Sequence, residues 1–347
     1  MLKRIIYLLS LVLLLNCQSK EEKINRLFAP YEGKQKPGAA VMIIQNGQPI
    51  LVKTFGMANI EKGAPVTPQS NFRLASVTKQ FTAMCIMMLA ERGKLNYDMH
   101  LTDIFPDFPE YGKDITIRHI LQHTSGLVAY EDLIPDTATV QVLDADVLQM
   151  MKEQDSTYFE PGSTYRYSNT GYAVLAMIVE KLSGLTFPKF LEQNIFRPLD
   201  MKNSVAFVNG VNQVPHRAFG YTVHADDSVE FTDQSITSAV LGDGGIYSSL
   251  DDLFKWDQAL YTDKLVSKET LQQAFIPNLK NYGFGWRIDT YKGHRRIHHT
   301  GSTRGFRNVI QRFPDDRFTV IVLTNRSDPG VAPLAEKLTD MFLFNAE

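Results

Sequence analysis

An α+β fold in three layers is what this chain predicts: one antiparallel sheet built from both chain ends, flanked by helices, with a mostly helical insertion between them. Three observations carry that expectation. Near the start, residues 39–45 and 50–55 are two β-rich runs separated by Asn46-Gly47-Gln48-Pro49, the composition of a hairpin turn. Near the end, strand patterns recur at residues 283–288, 295–300, 306–313 and 317–323, with Pro314-Asp315-Asp316 as a turn between the last two. From about residue 101 to 233 the pattern is helical or loop.

Each element has its own signal. Over residues 78–92, Phe81, Met84, Cys85, Met88 and Leu89 recur at spacings of three and four, and Gly93 stands where a helix would stop. The insertion holds candidate helices at residues 115–123, 145–152, 170–182 and 187–196, punctuated by Gly126, Gly162 and Gly184. A last amphipathic helix is predicted over residues 332–344. No internal repeat or low-complexity tract interrupts the pattern.

Composition is that of an ordinary globular chain: 347 residues, 44% hydrophobic and 21% charged. Lys and Arg number 36 against 38 Asp and Glu, a net charge of −2, with no long run of one sign. That balance argues against a nucleic-acid partner.

The first residues differ in character. Lys3 and Arg4 precede an almost unbroken apolar stretch over residues 5–15, too short to span a bilayer comfortably and typical of an export signal. The stretch ends at Leu14-Leu15-Asn16-Cys17, which resembles a bacterial lipoprotein box with Cys17 as the lipidated residue. It departs from that box at Asn16, where a small residue is usual. The expectation is an exported chain, lipid-anchored in the cell envelope at the periplasmic or surface face of a membrane. Gln18-Ser19-Lys20-Glu21-Glu22 then reads as a polar tether. With Cys17 lipidated, Cys85 has no disulfide partner and reads as a small buried hydrophobe.

Ser76-Val77-Thr78-Lys79 is an S-x-x-K motif, a pattern that arises about once by chance in a chain of this length. Its context gives it weight. Residues three apart on a helix share a face, so Lys79 can reach the Ser76 hydroxyl, and a helix N-terminus favours a developing alkoxide. Two further motifs follow in the chain: Tyr167-Ser168-Asn169 before an apolar helix, and His299-Thr300-Gly301, followed by Ser302, at the end of a predicted strand.

With these three motifs in this order, the chain resembles the serine β-lactamase and penicillin-binding protein family, in particular its class C β-lactamases, D-alanyl-D-alanine carboxypeptidases, D-aminopeptidases and β-lactamase-like esterases. The resemblance extends from about Gly38 to Asn325, through His123-Thr124-Ser125-Gly126-Leu127, Pro161-Gly162, Gly242-Asp243-Gly244-Gly245 and Tyr282-Gly283-Phe284-Gly285-Trp286. It implies a β-lactamase/transpeptidase-like fold over residues 37–347, preceded by a signal peptide and lipidation site at 1–17 and a tether and entry segment at 18–36.

The resemblance also implies roles. Ser76 is the nucleophile and Lys79 takes its proton, which requires a neutral amine. Tyr167 relays a proton to the leaving group. Asn169 hydrogen-bonds Lys79 and a substrate carbonyl, and the backbone N–H groups of Ser76 and Ser302 form the oxyanion hole. Gly301 allows close approach of substrate to the backbone, and Thr300 and His299 border the substrate. His299 departs from the lysine common in this family, so a permanent cation for a substrate carboxylate is missing there. Arg304 and Arg307 are candidates to replace it, and a solvated role fits each as well.

The implied function is hydrolysis of an amide or ester through an acyl-enzyme on Ser76. The substrate is small or peptidic: a D-amino-acid peptide, a simple ester or a β-lactam, with peptidoglycan fragments among the candidate partners. His299 favours the first two. The competing reading is a non-catalytic muropeptide-binding or sensor protein on the same fold, against which the intact Ser76, Lys79 and Tyr167 weigh. No cofactor is called for. His294, His298 and His299 do not suit one metal ion, because strand neighbours point to opposite faces and residues four apart are separated by roughly 13 Å. Phe284 and Trp286 read equally as cleft lining or as core.

Overall fold

The first and last strands of the chain lie side by side at the centre of one sheet. In the computed structural model, which describes residues 19–345, β1 (Ala39–Gln45), β2 (Gln48–Phe55), β3 (Arg287–Tyr291), β4 (His294–Thr303), β5 (Phe306–Phe313) and β6 (Phe318–Thr324) form a six-stranded sheet of order β3-β4-β5-β6-β1-β2. Every neighbouring pair is antiparallel, and Val41 faces Val322 across the β1–β6 ladder.

Both faces of the sheet are covered. In β1, Ala39, Val41 and Ile43 point to one face and Ala40, Met42 and Ile44 to the other; in β6, Val320 and Val322 alternate with Ile321 and Leu323. This is why these strands read as continuous apolar runs rather than alternating ones. On the first face lie the helices α1 (Lys20–Phe28) and α6 (Ala332–Phe342), through Ile24, Phe28, Ala335 and Leu338. The larger core is on the second face. There α2 (Lys79–Glu91), α3 (Asp144–Lys152), α4 (Asn169–Ser183) and α5 (Leu250–Ala259) pack with the rest of the insertion. The three-layer α+β arrangement is thus the one expected.

Three details differ from expectation. Residues 20–28 are not a tether but a helix, closed at its start by a capping box between Ser19 and Glu22 and anchored by the buried Ile24 and Phe28. The first hairpin turns on two residues, Asn46 (φ +51°) and Gly47 (φ +76°), so β2 begins at Gln48. The strand expected at 283–288 begins only at Arg287, because Gly283 and Gly285 lie against other backbone: a Cβ on Gly283 would stand 2.1 Å from the Ala274 carbonyl oxygen, and one on Gly285 2.6 Å from that of Lys79. Phe284 and Trp286 between them are core residues, 1% and 2% exposed. Cys85 is buried in α2, and burial pushes its thiol well up. Cys17 lies outside the described residues.

Asp257 on α5 and Arg312 on β5 form a buried ion pair, Arg312 Nε donating to Asp257 Oδ1 at 2.6 Å, while Thr319 Oγ1 donates to the same oxygen at 2.9 Å. They tie α5 to the sheet.

Candidate active site

Ser76 sits on a 3₁₀ turn, Ala75–Thr78, that leads directly into α2. The turn is held on both sides. Leu74 N–H donates to the Ile246 carbonyl at 2.8 Å, and strand β4 runs flush against it, since a Cβ on Gly301 would meet the Leu74 carbonyl oxygen at 2.1 Å. Ala75 has φ +50°, a region that costs a non-glycine residue about 1 kcal/mol or more and that persists only where the surroundings fix it. The close approach that Gly301 permits is therefore to the backbone preceding Ser76.

Lys79 is fully buried on the first turn of α2. Its Nζ stands 3.3 Å from Ser76 Oγ, donates to Asn169 Oδ1 at 2.8 Å and to the Asp243 carbonyl oxygen at 2.9 Å, and lies 4.9 Å from the centre of the Tyr167 ring. Those two acceptors engage two of its N–H groups and leave its third tetrahedral position turned to the Ser76 hydroxyl. Asn169 is the first residue of α4, whose cap is Ser168, with Ser168 Oγ accepting from Gly171 N–H at 3.1 Å. The Tyr167 hydroxyl is buried and has no hydrogen-bond partner among the described residues. Ser76, Asn169 and Ser302 border one cavity of about 150 Å³, together with Glu131, Asp243 and Thr303.

Sequence reasoning placed Ser76, Lys79, Tyr167 and Asn169 together, and so they are. Thr300 and Ser302 are exposed on β4, on the opposite side of the strand from His299 and Gly301. His299 is 2% exposed: its Nε2 pairs with the Tyr282 hydroxyl at 2.9 Å and its Nδ1 with the Thr300 carbonyl oxygen at 2.7 Å. Burial and the nearby Lys79 hold its pKa well below the usual histidine range, so the ring is neutral at pH 7. Arg304 is exposed, and Arg307 Nη1 donates to the Thr303 and Phe306 carbonyls. Of the other histidines, His298 stands 3.3 Å from Asp289 and His294 2.8 Å from Asp316.

Several site residues went unassigned from the sequence. Glu131 accepts from Asn169 Nδ2 at 2.8 Å. Arg287 on β3 holds its guanidinium 5.9 Å and 5.6 Å from the ring centres of Tyr167 and Tyr282. Asp243 presents its carbonyl to Lys79, and its carboxylate, pushed up to about 6 by burial, accepts from the Tyr130 hydroxyl at 3.3 Å. The turn carrying Asp243 is pinned by Asp144 of α3, which accepts from Leu241 N–H at 2.8 Å and Gly242 N–H at 2.9 Å. Burial pushes Asp144 up to about 7, outweighing these two donors. In the sequence this turn shows only as the glycines of Gly242-Asp243-Gly244-Gly245.

Two results are expected from this geometry. Gly301→Ala should lower kcat by on the order of 10²-fold, because the added methyl has to push β4 off the Ser76 turn; unaltered kcat would contradict that packing. For Asp144, a folded-state pKa above its unfolded value means that the folded chain retains a proton that the unfolded chain loses. Its contribution to stability is complete below about pH 4 and is lost as pH rises to about 7. The difference in urea-unfolding free energy between pH 5 and pH 7.5 should shrink in Asp144→Asn.

Comparison with known proteins agrees with this geometry. The profile described as Beta-lactamase matches residues 24–340. Penicillin-binding protein 4* of Bacillus subtilis (strain 168) is 35% identical over 332 residues, which cover 90% of this chain and 73% of that protein. Among solved structures, the octameric penicillin-binding protein homologue from Pyrococcus abyssi superposes with a TM-score of 0.82 at 26% identity, covering 94% of this chain and 77% of that one. A D-amino acid amidase from Ochrobactrum anthropi SV3 shares the fold, with a TM-score of 0.78 at 21% identity over 94% of this chain and all of its own. The chain belongs to the Beta-lactamase family, whose members are serine hydrolases.

Proposed function

We propose that this protein hydrolyses amides or esters through an acyl-enzyme on Ser76, acting on a D-amino-acid peptide or a small ester in preference to cephalosporins. The observation that carries the reading is the buried Lys79 amine 3.3 Å from Ser76 Oγ, held between Asn169 and the Asp243 carbonyl. Ser76 Oγ attacks the substrate carbonyl carbon as its proton passes to Lys79, and Tyr167 delivers a proton to the departing amine or alcohol. The amides of Ser76 and Ser302 stabilise the oxyanion. Water then cleaves the acyl ester and returns Ser76.

The substrate preference rests on position 299. A neutral, buried His299 with both ring nitrogens engaged offers no charge to a β-lactam carboxylate. The name of the Bacillus subtilis relative, a penicillin-binding protein, supports a site that accepts an acyl group of peptidoglycan type, so cell-wall fragments are the natural substrates in this reading. Exported placement with lipid on Cys17 belongs to the same proposal and is supported by the charged start and apolar run of residues 3–15; metabolic labelling with a palmitate analogue that persists in Cys17→Ala would refute it.

Mass spectrometry after incubation with a fluorophosphonate or a penicillin tests the mechanism. The expected result is one adduct on Ser76; its absence, or its persistence in Ser76→Ala, overturns the proposal. Nitrocefin, a p-nitrophenyl ester and a D-alanyl anilide then rank the substrates, and a nitrocefin rate far above the other two refutes the preference argued from His299.

A further inference from the structure

Tyr167 can deliver a proton to a leaving group only if the short segment that carries it is held in place, and one side chain is placed to hold it. His123 is fully buried, with φ +59°, at the end of the short helix Ile117–Leu121 and its following turn. It grips the segment at two points. The His123 carbonyl accepts from Arg166 N–H at 3.0 Å, and its Nδ1 accepts from Ser168 N–H at 3.1 Å. Those two residues bracket Tyr167. Ser168 is also the cap of α4, so the imidazole is coupled directly to the helix start that carries Asn169.

The ring does a second thing. Its centre lies 4.2 Å from that of Tyr167 and 4.3 Å from that of Tyr282, so it fills the space between the two phenols. Tyr282 in turn bonds His299. Lys79 stands over the Tyr167 ring, 4.9 Å from its centre. An Nδ1 that accepts fixes the tautomer with hydrogen on Nε2, and that Nε2 has no partner among the described residues. Burial and the neighbouring Lys79 depress the pKa of His123 well below the usual range, so the acceptor is kept. A residue whose task was only to fill the core would be apolar here and would bury no unsatisfied donor.

We propose that His123 is a positioning residue: a neutral imidazole that locks Ser168 N–H and backs the Tyr167 ring, and so sets Tyr167 for proton delivery to the leaving group. It touches no substrate. The inference rests on the acyl-enzyme reading of Ser76 and Tyr167 given above, and it adds a dependence on the leaving group. Loss of the clamp should spare substrates whose leaving group departs without a proton and penalise those that require one.

The test uses the full chain and two variants. His123→Ala removes the acceptor and the ring. His123→Asn keeps an acceptor near Nδ1 and tolerates the left-handed backbone. With a p-nitrophenyl ester, whose leaving group needs no proton, His123→Ala should change kcat little. With an alkyl ester or anilide of the same acyl group, kcat should fall by about 10²-fold at nearly unchanged KM, and His123→Asn should recover much of that loss. Amide hydrogen exchange at Ser168 should accelerate in His123→Ala and return towards the parent rate in His123→Asn, with the central strands unchanged. Equal losses on both substrates, or a Ser168 exchange rate that does not move in His123→Ala, would overturn the inference. If the parent protein turns over none of these substrates, the acyl-enzyme reading fails, and the Ser168 exchange rates still decide whether His123 clamps the segment.

Discussion

Ser76→Ala is expected to reduce turnover by on the order of 10⁶-fold, the loss typical when a catalytic nucleophile acting as part of a unit is removed. The argument is geometric. Ser76 Oγ is the only hydroxyl within hydrogen-bond reach of Lys79 Nζ among the described residues, and Asn169 and the Asp243 carbonyl engage the nitrogen's other two positions. No second nucleophile takes its place when the hydroxyl is deleted. The variant should remain folded, since the turn is held by backbone contacts through Leu74 and Gly301 rather than by the serine side chain. Single-turnover kinetics on an activated ester measure the effect; residual turnover within tenfold of the parent would move the acylation site elsewhere.

Arg312→Met carries the largest expected effect on stability. Both members of the Arg312–Asp257 pair are 1% exposed, and Asp257 also accepts from Thr319. Removing the arginine leaves a buried carboxylate with two neutral donors, the Thr319 hydroxyl and the Gln258 amide, and no cation, a change that costs about 3–5 kcal/mol. Replacing both partners, as Arg312→Met with Asp257→Leu, should recover most of that loss, because the desolvation penalty goes with the charges. Urea unfolding of the parent, the single variant and the double variant gives the comparison. A double variant as unstable as the single one would show that the pair is more than self-compensating.

Much of this molecule is legible in its sequence, and what is not has a physical reason. Ser76 and Lys79 are three residues apart on one helical turn, and Tyr167 and Asn169 belong to one segment, so local spacing displays them. His123, Glu131, Asp144 and Asp243 act through partners far along the chain: Asp144 bonds Leu241 and Gly242, and His123 bonds Ser168. Nothing near those residues announces the pairing. His123 begins the segment His123-Thr124-Ser125-Gly126-Leu127, in which no local spacing points to a partner 45 residues away. The misplaced strand start at residue 283 has a different cause. Phe284 and Trp286 alternate with glycines as a strand would, yet Gly283 and Gly285 are there for close backbone approach rather than for a ladder. Residues 20–28 were obscured by their charge, although Ile24 and Phe28, four apart, mark the one stripe that the helix buries.

The neighbouring of β1 and β6 has a consequence for how the molecule comes into being. Ala39 pairs with Thr324 and Gln45 with Phe318, so the strand that leaves first from any N-terminal-first process waits for nearly the last to arrive. Until then β1 has only the β2 hairpin on one side, which is marginal alone, and its apolar residues on both faces are without cover. Closing so long a loop before any ladder energy is recovered is slow, because non-local pairings demand their entropy in advance. Truncation within β6 is therefore expected to leave no partly folded sheet at all. The integrity of the Ser76 turn, which leans on β4, is decided in that same late step.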